Sequence, residues 1–239
     1  MKIVAVIPAY NESATIRDVA TRALAQLADV IVVDDGSTDG TAGALQGLAV
    51  TRISNPVNFG KGASLWRGFA PALAEGADAV ITLDGDAQHR PEDIPRLVAA
   101  WKANPGSIVI GARPRRRAAA PRLRFFANRF ADFWVAWAAG WPVADSQSGF
   151  RVYPGDLLRT VRVAHGPGAR FAFESEVLIE AGRAGVRSIA VPIDALYPPN
   201  ARPSHYRSVA DTARIVRMIA WKLLSRGLDL PRLLRSLSS

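Results

Sequence analysis

Two carboxylates one residue apart, Asp84 and Asp86, flank Gly85 directly after an apolar run. Like charges held this close resist ionising together unless a cation joins them. Hard oxygen ligands on a tight turn suit Mg2+ or Mn2+, with phosphate oxygens of a ligand completing the coordination. The bland alternative is a solvated acidic turn, and an Asp-x-Asp spacing alone leaves both readings open.

Three further groups have residue types that do chemistry, each directly after or shortly after an apolar run. Asp34-Asp35-Gly36-Ser37-Thr38-Asp39 follows residues 30–33. Asp35 there is able to accept hydrogen bonds from base N–H or ribose hydroxyl groups, or it simply caps the turn with Asp34. Pro8-Ala9-Tyr10-Asn11-Glu12 follows residues 3–7. Tyr10 offers a stacking face and Glu12 an acceptor; the alternative is a strand exit with a capping Asn. In Asn58-Phe59-Gly60-Lys61-Gly62 the glycines permit close backbone approach and Lys61 sits well for a phosphate, although the spacing is not that of a P-loop.

These groups need a frame that brings strand ends together. Residues 3–7, 30–33, 50–53, 79–83, 108–110 and 188–191 read as strands. Helix-compatible stretches at 12–28, 38–48, 60–75 and 91–103 alternate with them through the first half. Such alternation predicts an α/β fold, a mostly parallel sheet with helices on both faces, and ligands at the strand ends. Residues 123–141 read as an aromatic-rich helix, 173–184 as another and 208–224 as a last one. The parse is one catalytic domain over 1–206 and a basic amphipathic extension over 207–239.

The net charge is +9 over 239 residues, and the excess is local. Residues 113–129 hold seven arginines and no acid; residues 202–239 hold eight Lys and Arg against Asp211 and Asp229. Two basic segments suggest two surfaces facing something anionic, a phosphorylated substrate or an anionic membrane, and no nucleic-acid motif accompanies them. The absence of cysteine excludes thiolate chemistry and disulfides and suits a reducing, cytoplasmic setting. The apolar stretch 133–144 is shorter than the roughly 20 residues that span a bilayer.

Taken in order, Val6-Ile7-Pro8-Ala9-Tyr10-Asn11-Glu12, Asp34-Asp35-Gly36-Ser37-Thr38-Asp39 and Asp84-Gly85-Asp86 resemble the family 2 glycosyltransferases, over residues 3 to about 206. Asp84-Gly85-Asp86-Ala87-Gln88-His89-Arg90-Pro91-Glu92, Asp145-Ser146-Gln147-Ser148-Gly149-Phe150-Arg151 and Phe173-Glu174-Ser175-Glu176 are similar to its dolichyl-phosphate and polyprenyl-phosphate mannosyl- and glucosyltransferase branch. The resemblance implies the Rossmann-like GT-A fold and sugar transfer from a UDP- or GDP-linked donor with inversion. It implies that Pro8, Ala9, Tyr10, Glu12 and Asp35 hold the nucleotide. Asp84, Asp86 and Gln88 would hold Mg2+ or Mn2+ and the donor diphosphate. The branch's transmembrane helices and the Gln-x-x-Arg-Trp motif of processive synthases are missing. In place of that motif stands residues 200–207, read either as a clamp over the diphosphate through Arg202, His205 and Arg207 or as a solvated loop.

If the acceptor is a polyprenyl phosphate, arginines must place it, and Arg113 with Arg122 or Arg124 are the candidates. A hydroxyl acceptor needs a base, and Asp145 is the best placed by type, unless it orients an arginine or a helix end. A basic amphipathic stripe at Val209, Ile215, Val216, Ile219, Leu223 and Leu224 suggests peripheral attachment to the inner face of the cytoplasmic membrane; the alternative is that the stripe packs on the domain and its arginines are solvated. Readings of other kinds are a nucleotidyltransferase, for which residues 8–12 make a poor triphosphate loop, and a basic nucleic-acid binder. Oligomeric state has no signature here.

Overall fold

The computed structural model describes residues 1–113, 122–163, 172–194, 196, 208–225 and 227–237, with backbone only for 122–128 and 208–214. Arg202, His205 and Arg207 lie outside the described residues, as do the side chains of Arg122, Arg124 and Val209.

The first half folds as its alternation dictates. Strands β1 (Ile3–Ala9), β2 (Asp29–Asp34), β3 (Thr51–Ser54) and β4 (Ala79–Thr82) are separated by helices α1 (Ile16–Leu24), α2 (Thr41–Ala44) and α3 (Lys61–Ala74). A 3-10 turn at Pro91–Asp93 leads into α4 (Ile94–Ala103) and β5 (Ile108–Ala112). Then come α5 (Arg122–Ala139), β6 (Arg151–Pro154), α6 (Gly155–Thr160), α7 (Ala172–Arg183), β7 (Ser188–Pro192), α8 (Ser208–Leu224) and α9 (Leu230–Leu237).

The seven strands form one sheet in the order β3-β2-β1-β4-β6-β5-β7. All neighbours are parallel except β6, which runs antiparallel to β4 and β5. This mostly parallel sheet with helices on both faces is the expected GT-A architecture. Strand order reverses around β1 and β4, so their carboxyl ends flank a crevice where open α/β sheets place ligands. Both acidic and polar motifs of interest leave the sheet there.

Alternation along the strands divides the core. Val4 and Val6 face a layer with Leu65 and Phe69 of α3 and Phe173 of α7, while Ala5 and Ile7 face Ile16 and Val19 of α1 and Leu97 of α4. Two helices are shorter than expected. Residues 12–15 form a turn before α1, in which the Glu12 carbonyl accepts from Thr15 N and Ile16 N. Only residues 41–44 of the stretch 38–48 are helical, the chain there being punctuated by Gly40 and Gly47 at positive φ.

Helix α8 turns part of its apolar stripe toward the protein. Ile215, Ile219 and Leu223 of α8 are buried in the same core as α3 and α7. Lys222 pairs with Glu176 at 2.9 Å and Glu180 at 2.6 Å, and Arg183 donates to the Lys222 carbonyl at 2.6 Å. Ile215, Ile219 and Leu223 of the α8 stripe cover the protein, where the core offers a dry apolar partner and α7 offers Lys222 two carboxylates, while Val216 and Leu224 of the same stripe are exposed. No helix among the described residues is long and apolar enough to cross a membrane.

Candidate active site

Three strand-exit loops are laced together. After β1, Asn11 N donates to Ser37 Oγ at 2.8 Å, Thr38 N to Asn11 Oδ1 at 2.7 Å, and Glu12 N to Thr41 Oγ1 at 2.8 Å. Thr15 Oγ1 donates to the Gly85 carbonyl at 2.7 Å, which ties the first loop to the Asp84–Asp86 turn. Asn11 adopts φ +56, a left-handed conformation that Asn tolerates because its short amide bonds locally. Pro8, Ala9, Tyr10 and Glu12 are thereby grouped at the crevice beside Asp84 and Asp86.

Asp35 is buried and already engaged. Its carboxylate accepts from Asn55 Nδ2 at 2.6 Å, Phe59 N at 2.9 Å and Gly60 N at 2.8 Å. It thus fixes the loop that carries Lys61. Gly36 beside it needs its glycine: φ is +72, and a Cβ would sit 2.6 Å from the Val57 carbonyl carbon.

Lys61 is not poised toward solvent. Its ammonium lies 2.5 Å from Asp84 Oδ1 and 2.8 Å from Glu174 Oε1 of α7. Gly149 forms the floor of this cluster, because a Cβ there would fall 2.6 Å from Lys61 Nζ and 2.8 Å from Asp84 Oδ2. Glu174 Oε2 is buried with no hydrogen-bond partner among the described residues. Burial is the largest influence and works against ionising Asp84, but the charge and hydrogen bond of Lys61, with the nearby His89 and Arg113, together outweigh it and hold that carboxyl below its ordinary value. His89 is buried against Phe150 and pushed down to about 4 by desolvation, so it is neutral; the Asp84 backbone N–H points at its Nδ1 at 3.4 Å.

Asp86 differs from Asp84. Burial, and then the charge of Asp84, push its carboxyl up to about 6. Its Oδ1 accepts from Gln88 N at 3.0 Å, across a turn that Ala87 closes at φ +60. Among the described residues Asp84 forms an ion pair with Lys61 and Asp86 forms none, although the Lys61 charge still lowers Asp86, so the turn holds two carboxylates against one adjacent ammonium. That excess fits a hard divalent cation. No group of three or more His, Cys, Asp or Glu side chains able to hold a metal occurs among the described residues. A cation on Asp84, Asp86 and Gln88 must therefore take further oxygens from the ligand it binds with.

The other wall is built on Arg113, at the end of β5. Its Nε and Nη2 donate to Asp145 Oδ2 and Oδ1 at 2.8 and 2.6 Å, and its backbone N–H donates to Oδ2 at 2.9 Å. Burial would raise the Asp145 carboxyl, yet the Arg113 hydrogen bonds and charge bring it below its ordinary value. Arg113 and Asp145 both act electrostatically on His89, and Arg113 on Asp84, so this pair belongs to the same site.

Sequence reasoning assigned no role to three residues that organise this wall. Arg151 is fully buried and donates to the carbonyls of Ser148 (2.8 Å), Ser146 (2.7 Å) and Glu174 (2.7 Å). It clips the loop from Asp145 to Gly149 onto the start of α7. Asp132 of α5 accepts from Ser146 N at 2.8 Å. Glu174 anchors Lys61. Arg151 and Glu174 stood inside motifs; Asp132 is a lone acid in an aromatic helix and gave no signal.

The family model for glycosyl transferase family 2 matches residues 4–150. The undecaprenyl-phosphate mannosyltransferase of Micrococcus luteus is 28% identical over 203 residues, covering 81% of this chain and 83% of that one. The UDP-N-acetylglucosamine–dolichyl-phosphate N-acetylglucosaminyltransferase of Methanococcus voltae is 29% identical over 213 residues, covering 80% and 84%. Among solved structures, glucosyl-3-phosphoglycerate synthase of Mycobacterium tuberculosis, crystallised with Mn2+, UDP-glucose and phosphoglyceric acid, superposes with a TM-score of 0.68. It is 25% identical, and the match covers 94% of this chain and 79% of that one. Sheet order, strand-end chemistry and these matches agree: the chain is a glycosyltransferase and belongs to glycosyl transferase family 2.

Proposed function

We propose that this glycosyltransferase transfers a sugar, with inversion, from a UDP- or GDP-linked donor to a polyprenyl phosphate, with Mg2+ or Mn2+ held by Asp84, Asp86 and Gln88. The observation that carries the acceptor class is the Arg113–Asp145 pair. Asp145 is ionised and accepts three N–H bonds from one arginine. A carboxylate so engaged positions Arg113 and is a poor proton acceptor. A phosphate acceptor needs no base, because it is already anionic at neutral pH; it needs a fixed guanidinium.

On this reading Tyr10 stacks the base, Pro8 and Ala9 shape its floor, and Glu12 accepts from the nucleotide. Asp35 keeps one acceptor position beyond its three protein donors for the same ligand. Lys61, anchored by Glu174, orients Asp84 and faces the diphosphate; Arg202, His205 and Arg207 are the proposed clamp, and Arg124 a second phosphate ligand. The bound metal would neutralise charge on the departing diphosphate. A phosphate oxygen of the acceptor, aimed by Arg113, bonds to the anomeric carbon from the face opposite the donor. The bond from that carbon to the diphosphate oxygen breaks, and the nucleoside diphosphate leaves with the electron pair. Water must be excluded while this happens, or hydrolysis competes.

The relatives named for undecaprenyl- and dolichyl-phosphate acceptors support this reading. A phosphorylated small-molecule acceptor is the second reading, favoured by the likeness to the synthase crystallised with phosphoglyceric acid. Arg113 serves either. A thermal-shift series with UDP- and GDP-sugars tests the donor half: at least one stabilises the protein with Mn2+ and loses most of that effect in EDTA. No metal-dependent stabilisation by any of them would sink the proposal.

Arg113→Ala isolates the acceptor half. A charge-assisted hydrogen bond is worth about 1.5–3 kcal/mol, so kcat/KM for a prenyl phosphate falls roughly 10- to 100-fold. The nucleotide-sugar thermal shift stays as in wild type. A variant with unchanged acceptor kinetics would remove Arg113 from the site.

A further inference from the structure

Helix α9 is inverted for a helix in water. Leu230, Leu234 and Leu237 recur at spacings of four and three and so share one face. That face is outward, with the three leucines 63%, 68% and 61% exposed. The inward side carries the half-buried Leu233 among polar groups. Ser236 is buried, and the Arg232 stem lies against Gly140, where a Cβ would sit 3.1 Å from Arg232 Cγ. The Arg235 guanidinium lies 5.7 Å from the Trp141 ring centroid, and Arg187 is 4.1 Å from the same ring. Arginine contacts thus accompany an α9 whose Leu230, Leu234 and Leu237 face away from the core, although core burial is where leucine is most favourable.

Helix α5, which packs on α9, also exposes apolar side chains, and together these form an apolar band on the two helices. Phe130 and Phe133 are exposed, and one turn after Phe133 the half-buried Trp137 donates Nε1–H to the Asp229 carbonyl at 3.2 Å, immediately before α9. Leu228, beside that contact, is also exposed. The far end of the band lies next to Asp132, which holds Ser146 of the Asp145 loop. Exposed apolar side chains therefore occur on α9 and on α5, and α5 also carries the Asp132 that holds the Asp145 loop.

We infer that this band docks into the interface of an anionic lipid bilayer and thereby sets the Arg113 wall over lipid headgroups. The inference rests on the acceptor reading above and assigns the lipid contact to α5 and α9, because Ile215, Ile219 and Leu223 of α8 are buried. Charge selects the occupant. The chain carries +9, so two copies repel, whereas anionic headgroups attract it. Leucine and phenylalanine on one face with arginines at its edge is the composition of an interfacial helix.

Co-sedimentation with phosphatidylcholine vesicles, alone or mixed with phosphatidylglycerol, tests this on the full chain. Wild type sediments with the anionic vesicles. Leu230→Glu/Leu234→Glu/Leu237→Glu binds them at least tenfold more weakly, and so does the triple Ala variant, which keeps helix propensity and adds no charge. Both variants keep the wild-type Tm and the nucleotide-sugar thermal shift, so loss of docking is read separately from loss of the donor site. Wild type that ignores anionic vesicles, or variants that bind like wild type, would overturn the inference. A dimer on size exclusion that the substitutions convert to monomer would assign the band to a second copy instead.

Discussion

Asp86→Asn abolishes most activity while leaving the fold intact. The amide keeps the shape and an acceptor oxygen but removes the charge that a divalent cation needs. Losing one preorganised electrostatic group at a developing charge costs about 3–4 kcal/mol, so turnover falls on the order of a thousandfold. Stability moves the other way. The Asp86 carboxyl is raised to about 6 in the folded protein, from an ordinary value of 3.8. The folded state therefore holds that proton more tightly, and the group's contribution to stability is lost as pH rises from about 4 through 6. At pH 7.5 the neutral variant accordingly melts at or above the wild-type temperature. The same carboxyl gives wild type a metal-dependent donor affinity that weakens as pH falls through about 6, a dependence the variant lacks. A variant with wild-type turnover at saturating Mn2+ would remove Asp86 from the metal site. Site groups that are costly to the apo fold and required for the reaction are the usual form of a stability–activity trade-off.

Arg151→Leu has the largest expected effect on stability. Its guanidinium is fully buried and satisfies the carbonyls of Ser146, Ser148 and Glu174. Leucine leaves those acceptors without donors in a dry environment, at about 1–3 kcal/mol each before relaxation. A net loss of about 3–5 kcal/mol follows, as for other broken buried polar networks. For a chain of this size that lowers Tm by roughly 6–20 °C. Activity at a temperature where the variant is still folded also falls, because one side chain fixes both the Asp145–Gly149 loop and the start of α7 that bears Glu174. Arg151→Lys restores at most part of either, since an ammonium cannot reach three divergent carbonyls in one plane. Circular-dichroism melting reads the first effect and donor thermal shift the second. A Tm within 2 °C of wild type would contradict the role given to Arg151.

How far the sequence discloses this site depends on what each motif needs for its definition. The loops after β1, β2 and β4 were legible because each follows an apolar strand run and carries its polar groups within six residues. Position in an open α/β sheet then follows from strand order. Strand β6 was not legible. It is four residues long, begins with a charged Arg151, and its antiparallel pairing to β4 and β5 is decided by partners far along the chain. The partners of Lys61 were equally hidden: the glycine-flanked lysine suggested a phosphate contact, and nothing local says that Glu174, more than a hundred residues later, shares its ammonium. The residue type of Asp145 suits a base and a positioning residue alike, and the bonds from Arg113 are what favour the second. The C-terminal helices show the limit of periodicity. It finds a stripe on α8 and a stripe on α9, but not that Lys222 and the α7 carboxylates draw the first inward while Trp141 and its arginines turn the second outward.

The central claim is metal-dependent sugar transfer to a lipid phosphate, and product formation tests it most directly. Purified protein is incubated with radiolabelled UDP- and GDP-sugars, undecaprenyl phosphate and Mn2+, and the organic phase is resolved by chromatography. At least one donor yields a lipid-linked sugar, absent in EDTA and reduced about a thousandfold by Asp86→Asn. No lipid-linked product with any donor, or the same yield in EDTA and in Asp86→Asn, would contradict it.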